Sequence, residues 1–448
     1  MQIEELSILE NNFNQLIEML LAKKADSEHF TVRLNSERSQ FTRFNRAKVR
    51  QTGLVADGSI TLTLMENQRS SFCKFPFTGN WDIDWQTAYQ ALQDLREELH
   101  LLPVDPYLVL PTGNNVSREV HTGLLAPENV VNSILESVAD LDFTGMYAGG
   151  IIIRGYSDSS GQKHWFATDS FNLDYSLIIE SGKAVKGTFA GSEWDESAYV
   201  DKINDGKKQL ALLSLEPKEL PRGNYKTYFA PAAVAELLGM LSWGAISEAS
   251  IQQGNSALSA LSRQEKQLSS KFVLKENFTS GLVPRFNDLG EISPEELTLI
   301  ENGVLVSSLV NSRTAKEYNK PANGANSSET LRSPEIKTGN LAFADILRSL
   351  DTGLYVSNLH YLNWSDRQTA RITGMTRYAC FWVEKGEIVA PIENLRFDES
   401  LYRCWGSENL VALTKFQELI PEVGTYESRQ LGGSLVPGML VEDFTYTL

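Results

Sequence analysis

Metal-assisted hydrolysis needs ligands on rigid elements at short spacing, typically two histidines about one helical turn apart, with a third donor and an open position for water. The five histidines, His29, His100, His121, His164 and His360, include no two within a helical turn of each other. A set gathered from distant positions, such as His360 with Cys380 and a carboxylate, stays open as a metal site. Nucleophilic catalysis has less support, because the chain carries no G-x-S-x-G elbow. Cys380 lies between Ala379 and Phe381 in an expected strand, where a thiol reads as a small buried residue. A Walker A loop and G-x-G-x-x-G are both absent, so nucleotide-driven chemistry has no anchor.

One segment could instead bind nucleic acid. Arg33, Arg38, Arg43, Arg46, Lys48 and Arg50 are interleaved with Phe41 and Phe44, the pattern of a basic stripe with stacking aromatics. The competing reading is that strand alternation sends these cations to solvent or into ion pairs with surplus carboxylates. The composition favours the second. Lys plus Arg number 41 against 57 Asp plus Glu, a net charge of −16, which opposes broad adhesion to polyanions or to anionic lipid.

The elements that would position these residues are legible in the hydrophobic pattern. Ile8, Leu9, Phe13, Leu16, Ile17 and Leu20 recur at helical spacing near the N-terminus, predicting an amphipathic surface helix. Alternation over Thr31 to Met65, with Asp57-Gly58 between apolar runs, predicts a β-hairpin turning at those two residues. Tyr89, Leu92, Leu95 and Leu99 return to helical spacing before Pro103, Pro106 and Pro111 break it. A further helix is expected from Leu124 to Leu141, with Pro127 near its start. Strands are expected at Tyr147–Arg154, His164–Thr168 and Ser176–Glu180, then a helix at Asp201–Leu213.

Beyond the linker Glu216–Asn224, Pro231 opens a helix whose apolar face is Val234, Leu237, Leu238, Leu241 and Ala245. Hairpins are expected at Leu299–Leu305 and Phe381–Ile388. The Asn/Ser/Gly-rich stretch Pro321–Pro334 has the length of a mobile or functional loop. The fold class is therefore α+β, divided into an N-terminal α+β domain (1–105), a central α+β domain (106–218) and a larger β-rich C-terminal domain (219–448).

Compartment follows from composition. The three cysteines, Cys73, Cys380 and Cys404, are odd in number and far apart, as expected of free thiols in a reducing cytoplasm. The acidic N-terminus is the reverse of a signal peptide. The apolar stretch Tyr228–Ile246 contains Pro231, Glu236, Ser242 and two glycines, so a packed helix is expected there and no membrane span.

A set of motifs in order resembles the TldD/PmbA (TldE) family: Thr42-Arg43-Phe44-Asn45 through Val49-Arg50-Gln51, the Asp57-Gly58 segment, the helix Ala232–Leu241, Phe286-Asn287-Asp288-Leu289-Gly290, Leu299–Leu305 and Phe381–Ile388. The resemblance runs from about residue 30 to the C-terminus. It implies a C-terminal domain of the TldD/PmbA type and a place among cytoplasmic metallopeptidases and their relatives, in which TldD and TldE act together on small unfolded peptides.

TldD-type chains of that family carry H-E-x-x-x-H on the helix opening the C-terminal domain, with a later cysteine as a further ligand. The matching positions here are Gly239, Met240 and Gly244, and the cysteine position falls near Arg377. Glycine has no donor, methionine is no base and a guanidinium repels a divalent cation. The resemblance therefore points to the TldE/PmbA branch, which lacks the metal motif.

Three readings follow. The first is a non-catalytic TldE-like subunit that needs no cofactor of its own, pairs with a zinc-bearing TldD-like metallopeptidase subunit and meets unfolded peptides. The second is an active peptidase with relocated ligands. The third is a stand-alone peptide-binding or regulatory protein, including the family's association with modulation of DNA gyrase. The sequence leaves homodimer and heterodimer both open.

Overall fold

The structure is a computed structural model and describes residues 3–122 and 129–447. The helix α1 (Ile3–Lys23) precedes three antiparallel strands, β1 (His29–Asn45), β2 (Lys48–Glu66) and β3 (Arg69–Pro76), then α2 (Trp81–Leu99). Strand β4 (Val116–His121) and helix α3 (Val130–Ser137) lead to β5 (Asp142–Asp158), β6 (Lys163–Ile178), β7 (Ala184–Gly191) and α4 (Glu196–Leu213). The seven strands form one sheet in the order β3-β2-β1-β5-β6-β4, with β7 also paired to β6. The expected boundary at 105/106 thus falls inside one hydrogen-bonded sheet, because β1 pairs with β5 from Thr31↔Asp158 to Phe44↔Gly145. Pro127, expected near the start of α3, lies outside the described residues.

The predicted hairpin at Asp57-Gly58 is corrected by the register. Both residues lie mid-strand in β2, opposite Glu37 and Ser36. The β1–β2 turn is Arg46-Ala47, flanked by the pair Asn45↔Lys48, and both turn residues have positive φ, 51° and 50°. That is the two-residue primed geometry that favours Asn-Gly, here adopted without glycine. Gly58 serves close approach instead: a Cβ there would sit 2.7 Å from the carbonyl oxygen of Phe77, whose N–H donates to Gly58 O at 2.8 Å. The Asn302-Gly303 and Lys385-Gly386 turns do have the predicted chemistry, with positive φ at all four residues.

The two faces of the sheet differ in kind. On one, Val32 and Leu34 of β1, Ile60, Leu62 and Leu64 of β2, Ile151 and Ile153 of β5 and Trp165 of β6 are buried under Phe13, Leu16, Ile17 and Leu20 of α1 and Leu92, Leu95 and Leu99 of α2. Alternation then puts Arg33, Asn35, Arg154 and Tyr156 on the other face. That face looks toward the second half of the chain, where Tyr156 and Phe166 pack with Phe286.

The second half folds around a thirteen-stranded sheet. It comprises β8 (Gly223–Phe229), β9 (Leu274–Asn277), β10 (Glu296–Glu301), β11 (Val304–Leu305), β12 (Pro334–Ile336), β13 (Gly353–Val356), β14 (Asn358–Asp366), β15 (Arg371–Arg377), β16 (Phe381–Glu384), β17 (Glu387–Pro391), β18 (Arg396–Ser400), β19 (Leu410–Pro421) and β20 (Gly433–Tyr446). Its spine runs β11-β10-β9-β12-β20-β8-β13-β16-β17. The helix α5 (Pro231–Gly239) follows β8, with Pro231 in its first turn. Val234, Leu237, Leu238, Leu241 and Ala245 are all buried, as the pattern predicted. No described helix is long and apolar enough to cross a membrane.

Most of the basic segment is explained by ion pairing and exposure. Arg33 pairs with Asp288 and Arg38 with Glu5, while Arg43, Arg46, Lys48 and Arg50 are exposed around the β1–β2 turn and Phe44 is buried. The stretch 321–334, expected to be a mobile or functional loop, is irregular but anchored. Glu329, 2% exposed, accepts from Ser247 Oγ at 2.6 Å, Ala249 N at 3.0 Å and Asn311 N at 2.9 Å.

Candidate functional site

The helix α5 ends where the family resemblance placed a metal motif, and the backbone there does not present its positions together. After Gly239 the chain tightens into a 3₁₀ turn at Met240–Ser242, and Gly244 has φ +77°. A histidine at 244 would be strained in that left-handed conformation, and its Cβ would meet Ser250 Oγ at 3.5 Å and Arg367 Nη1 at 3.6 Å. Gly239 is the opposite case: a Cβ there has no atom within 4 Å, so it opens onto a cavity. Met240 is buried in the core of the second half.

Arg377 stands at the end of β15, its guanidinium 5.4 Å from the ring of Tyr378. Its carbonyl accepts from Cys380 Sγ at 3.2 Å. Burial raises the Cys380 thiol pKa, away from the thiolate a metal needs. His360 does line the cavity beside Gly239, but among the described residues no three His, Cys, Asp or Glu side chains gather as a ligand set. Two glycines, a buried thioether and a buried thiol do not fit a zinc ion.

Two cavities meet at the end of α5. Gly239, Trp243, Glu422, Gly433 and Ser434 border both. The first, about 750 Å³, lies toward Glu236, His360, Tyr361 and Tyr378. The Glu236 carboxyl has its pKa raised, first by removal from water and then by the charge of Glu422. Asp174 on the far wall is ion-paired with Lys186.

The second cavity, about 720 Å³, lies between the two sheets, toward Arg33, Arg154, Phe286, Asp288 and Arg332. Arg332 is held by the carbonyls of Pro284 at 3.3 Å and Phe286 at 3.1 Å and by Ser293 Oγ at 2.6 Å. Asp288 is held below the usual carboxylate range: desolvation opposes this, and the Arg33 charge and Ser327 outweigh it. Both volumes lie within the range of small-ligand and peptide clefts.

Behind the second cavity, Arg429 of the segment between β19 and β20 reaches into the polar face of the first sheet. Its Nη1 donates to Ser39 Oγ (3.3 Å) and Gly150 O (3.2 Å), and its Nη2 donates to the carbonyl and hydroxyl of Ser170, both at 2.9 Å. Its backbone N–H donates to Glu37 at 3.1 Å. Burial lowers the guanidinium pKa to about 10.

The family model described as the PmbA/TldA metallopeptidase C-terminal domain matches residues 222–448, the part that carries α5 and the larger sheet. The chain belongs to the PmbA/TldD family. A curated relative, the metalloprotease PmbA of Escherichia coli O157:H7, is 23% identical over 297 residues, covering 64% of this chain and 62% of that protein. The match thus spans less than two thirds of the relative's length.

Among solved structures, TldE from Thermococcus kodakarensis superposes with a TM-score of 0.76 at 14% identity, covering 98% of this chain and all of that one. A protein described as a modulator of DNA gyrase from Bacteroides thetaiotaomicron gives 0.77 at 15% identity, with 98% of each chain covered. One from Thermotoga maritima, similarly described, gives 0.74 at 16%, covering 98% and 100%. These structures establish a shared α+β fold for the PmbA/TldD member described here, over nearly its full length.

Of the positions singled out from the sequence, Gly239 lies at the cavity junction and Met240, though buried, borders the first cavity, while Gly244 and Arg377 are not among the lining residues of either cavity. Sequence reasoning missed Arg154, Glu236 as a cavity group, Trp243 and Glu422. Arg154 carried one signal, a charge directly after Ile151-Ile152-Ile153 in a buried strand.

Proposed function

We propose that this chain is a non-catalytic, TldE-like subunit that binds unfolded peptides for a metal-bearing TldD-like partner in the cytoplasm. The observation that carries the reading is the end of α5. A groove of peptide size surrounds Gly239, while the residues at the metal-motif positions offer neither ligand nor base. The relatives named TldE and PmbA support the assignment by kinship. In this reading the chain takes no cofactor, and zinc belongs to the partner.

A mixing experiment tests it. The chain alone is expected to leave unstructured peptides uncut. With a TldD-like subunit from the same organism it should raise the partner's cleavage rate, and removing the partner's metal should abolish the gain. Cleavage by this chain alone in the presence of a chelator, or no association at micromolar concentration, overturns the proposal.

A further inference from the structure

The cavity between the sheets contains a cation without a counter-ion. Arg154 projects from β5, a central strand of the first sheet, and lines both the 720 Å³ cavity and a smaller one of about 340 Å³ beyond it. Its one hydrogen bond among the described residues runs from Nη1 to the carbonyl of its own neighbour Ile153, at 2.9 Å. It forms no ion pair among the described residues, unlike Arg33 in the same cavity.

The carboxylate whose charge bears on Arg154 is Glu37. Glu37 is already engaged, accepting from Ser39 Oγ at 2.7 Å and from the Arg429 backbone N–H. The Arg429 charge bears on the same spot and is repulsive. Desolvation lowers the Arg154 pKa to about 10, so it is still a cation at neutral pH. The guanidinium is partly buried and most of its donors have no protein partner among the described residues, so they face the cavity and are available to a ligand that enters it. A planar fork is matched best by a carboxylate.

We infer that Arg154 is the anchor for the C-terminal carboxylate of a bound peptide. The substrate class is therefore short peptides with a free C-terminus lying in the inter-sheet cavity. Such a peptide would extend from Arg154 past Trp243, which is 55% exposed at the cavity junction, toward Gly239 and the carboxylates Glu236 and Glu422. Those carboxylates suit the opposite, ammonium end. The inference rests on the peptide-binding reading proposed above and adds to it a polarity and a terminal group.

Calorimetric titration of the purified chain with trialanine and with its C-terminal amide tests both levels. The free acid is expected to bind at least ~10-fold more tightly than the amide, the scale of a charge-assisted bidentate contact. In Arg154→Gln that preference should vanish, with acid and amide binding alike. Arg154→Lys, which keeps charge but not the fork, should retain only part of it.

Equal binding of acid and amide to the wild-type chain overturns the Arg154 assignment while leaving peptide binding intact, and it requires no variant to fold. An amidated peptide bearing one aspartate that binds as tightly as the free acid overturns the terminal assignment. Binding of none of these peptides removes the peptide reading, and the anchor with it.

Discussion

The two cavities at the end of α5 share a border but differ in the balance of charge along their walls. The one toward β14 carries Glu236, the one between the sheets carries Arg33, Arg154 and Arg332 with Asp288, and Glu422 borders both. Each wall inherits its charge from where its residues arise. The arginines come from the polar face of the first sheet and from the anchored stretch 321–334, the acids from α5 and the end of β19. A net charge of −16 conceals this division, because whole-chain charge says nothing about how sign is distributed across a groove. The cleft at the end of α5 is therefore graded in charge from the arginines between the sheets to Glu236.

The largest blow to the comparison should come from Arg429→Met. It removes the guanidinium behind the arginine-lined cavity and leaves Ser39, Gly150 and Ser170 without their donor. The expected loss is about 2–4 kcal/mol of folding stability, the range for breaking a buried charged hydrogen-bond network, read by urea denaturation. A loss below about 1 kcal/mol would mean that the polar face holds together without it.

On the acidic side the effect should be smaller and depend on pH. The Glu236 carboxyl has a raised folded-state pKa, so the folded chain holds that proton more tightly than the unfolded chain does. Its contribution favours folding below the ordinary carboxylate value of 4.5 and is lost as pH rises through the raised value. Glu236→Gln should therefore stabilise the protein at pH 7, by roughly a few tenths of a kcal/mol since the carboxyl is only partly withdrawn from water and solvent screens it, and give no gain at pH 4. Equal melting shifts at both pH values would refute a raised folded-state pKa for Glu236.

The smallest expected effect sharpens the comparison by its absence. A chain carrying Gly239→His, Met240→Glu and Gly244→His together should still bind no stoichiometric zinc by elemental analysis. The 3₁₀ turn at Met240–Ser242 and φ +77° at residue 244 hold those positions apart. About one zinc per chain would show that the helix can re-form once its ligands return.

Much of this architecture was legible in the sequence, for identifiable reasons. Helices α2 and α5 were marked by Leu92, Leu95 and Leu99 and by Pro231 with its apolar face, where local periodicity and burial agree. The Asn302-Gly303 and Lys385-Gly386 turns were read from residues that favour positive φ. The β1–β2 turn was misplaced because Arg46-Ala47 carries no such mark, while Gly58 answered a tertiary need, the approach of Phe77. The sheet joining β1 to β5 was hidden by the long stretch of chain between Asn45 and Asp142. The groove was hidden for the same reason: Arg33, Arg154, Asp288 and Arg332 converge only through long-range strand pairing, and no spacing rule connects them.

Arg429 has a consequence for how the molecule moves. Its side chain bonds at once to β1 through Ser39, β5 through Gly150 and β6 through Ser170, while its own backbone belongs to the segment that joins β19 to β20. Sliding one sheet over the other breaks these bonds together and leaves a bare cation in a buried seam. The inter-sheet cleft is therefore pinned at its base like a hinge with a riveted pin. Amide protons along the centres of β1, β5 and β6 should accordingly exchange only with global unfolding.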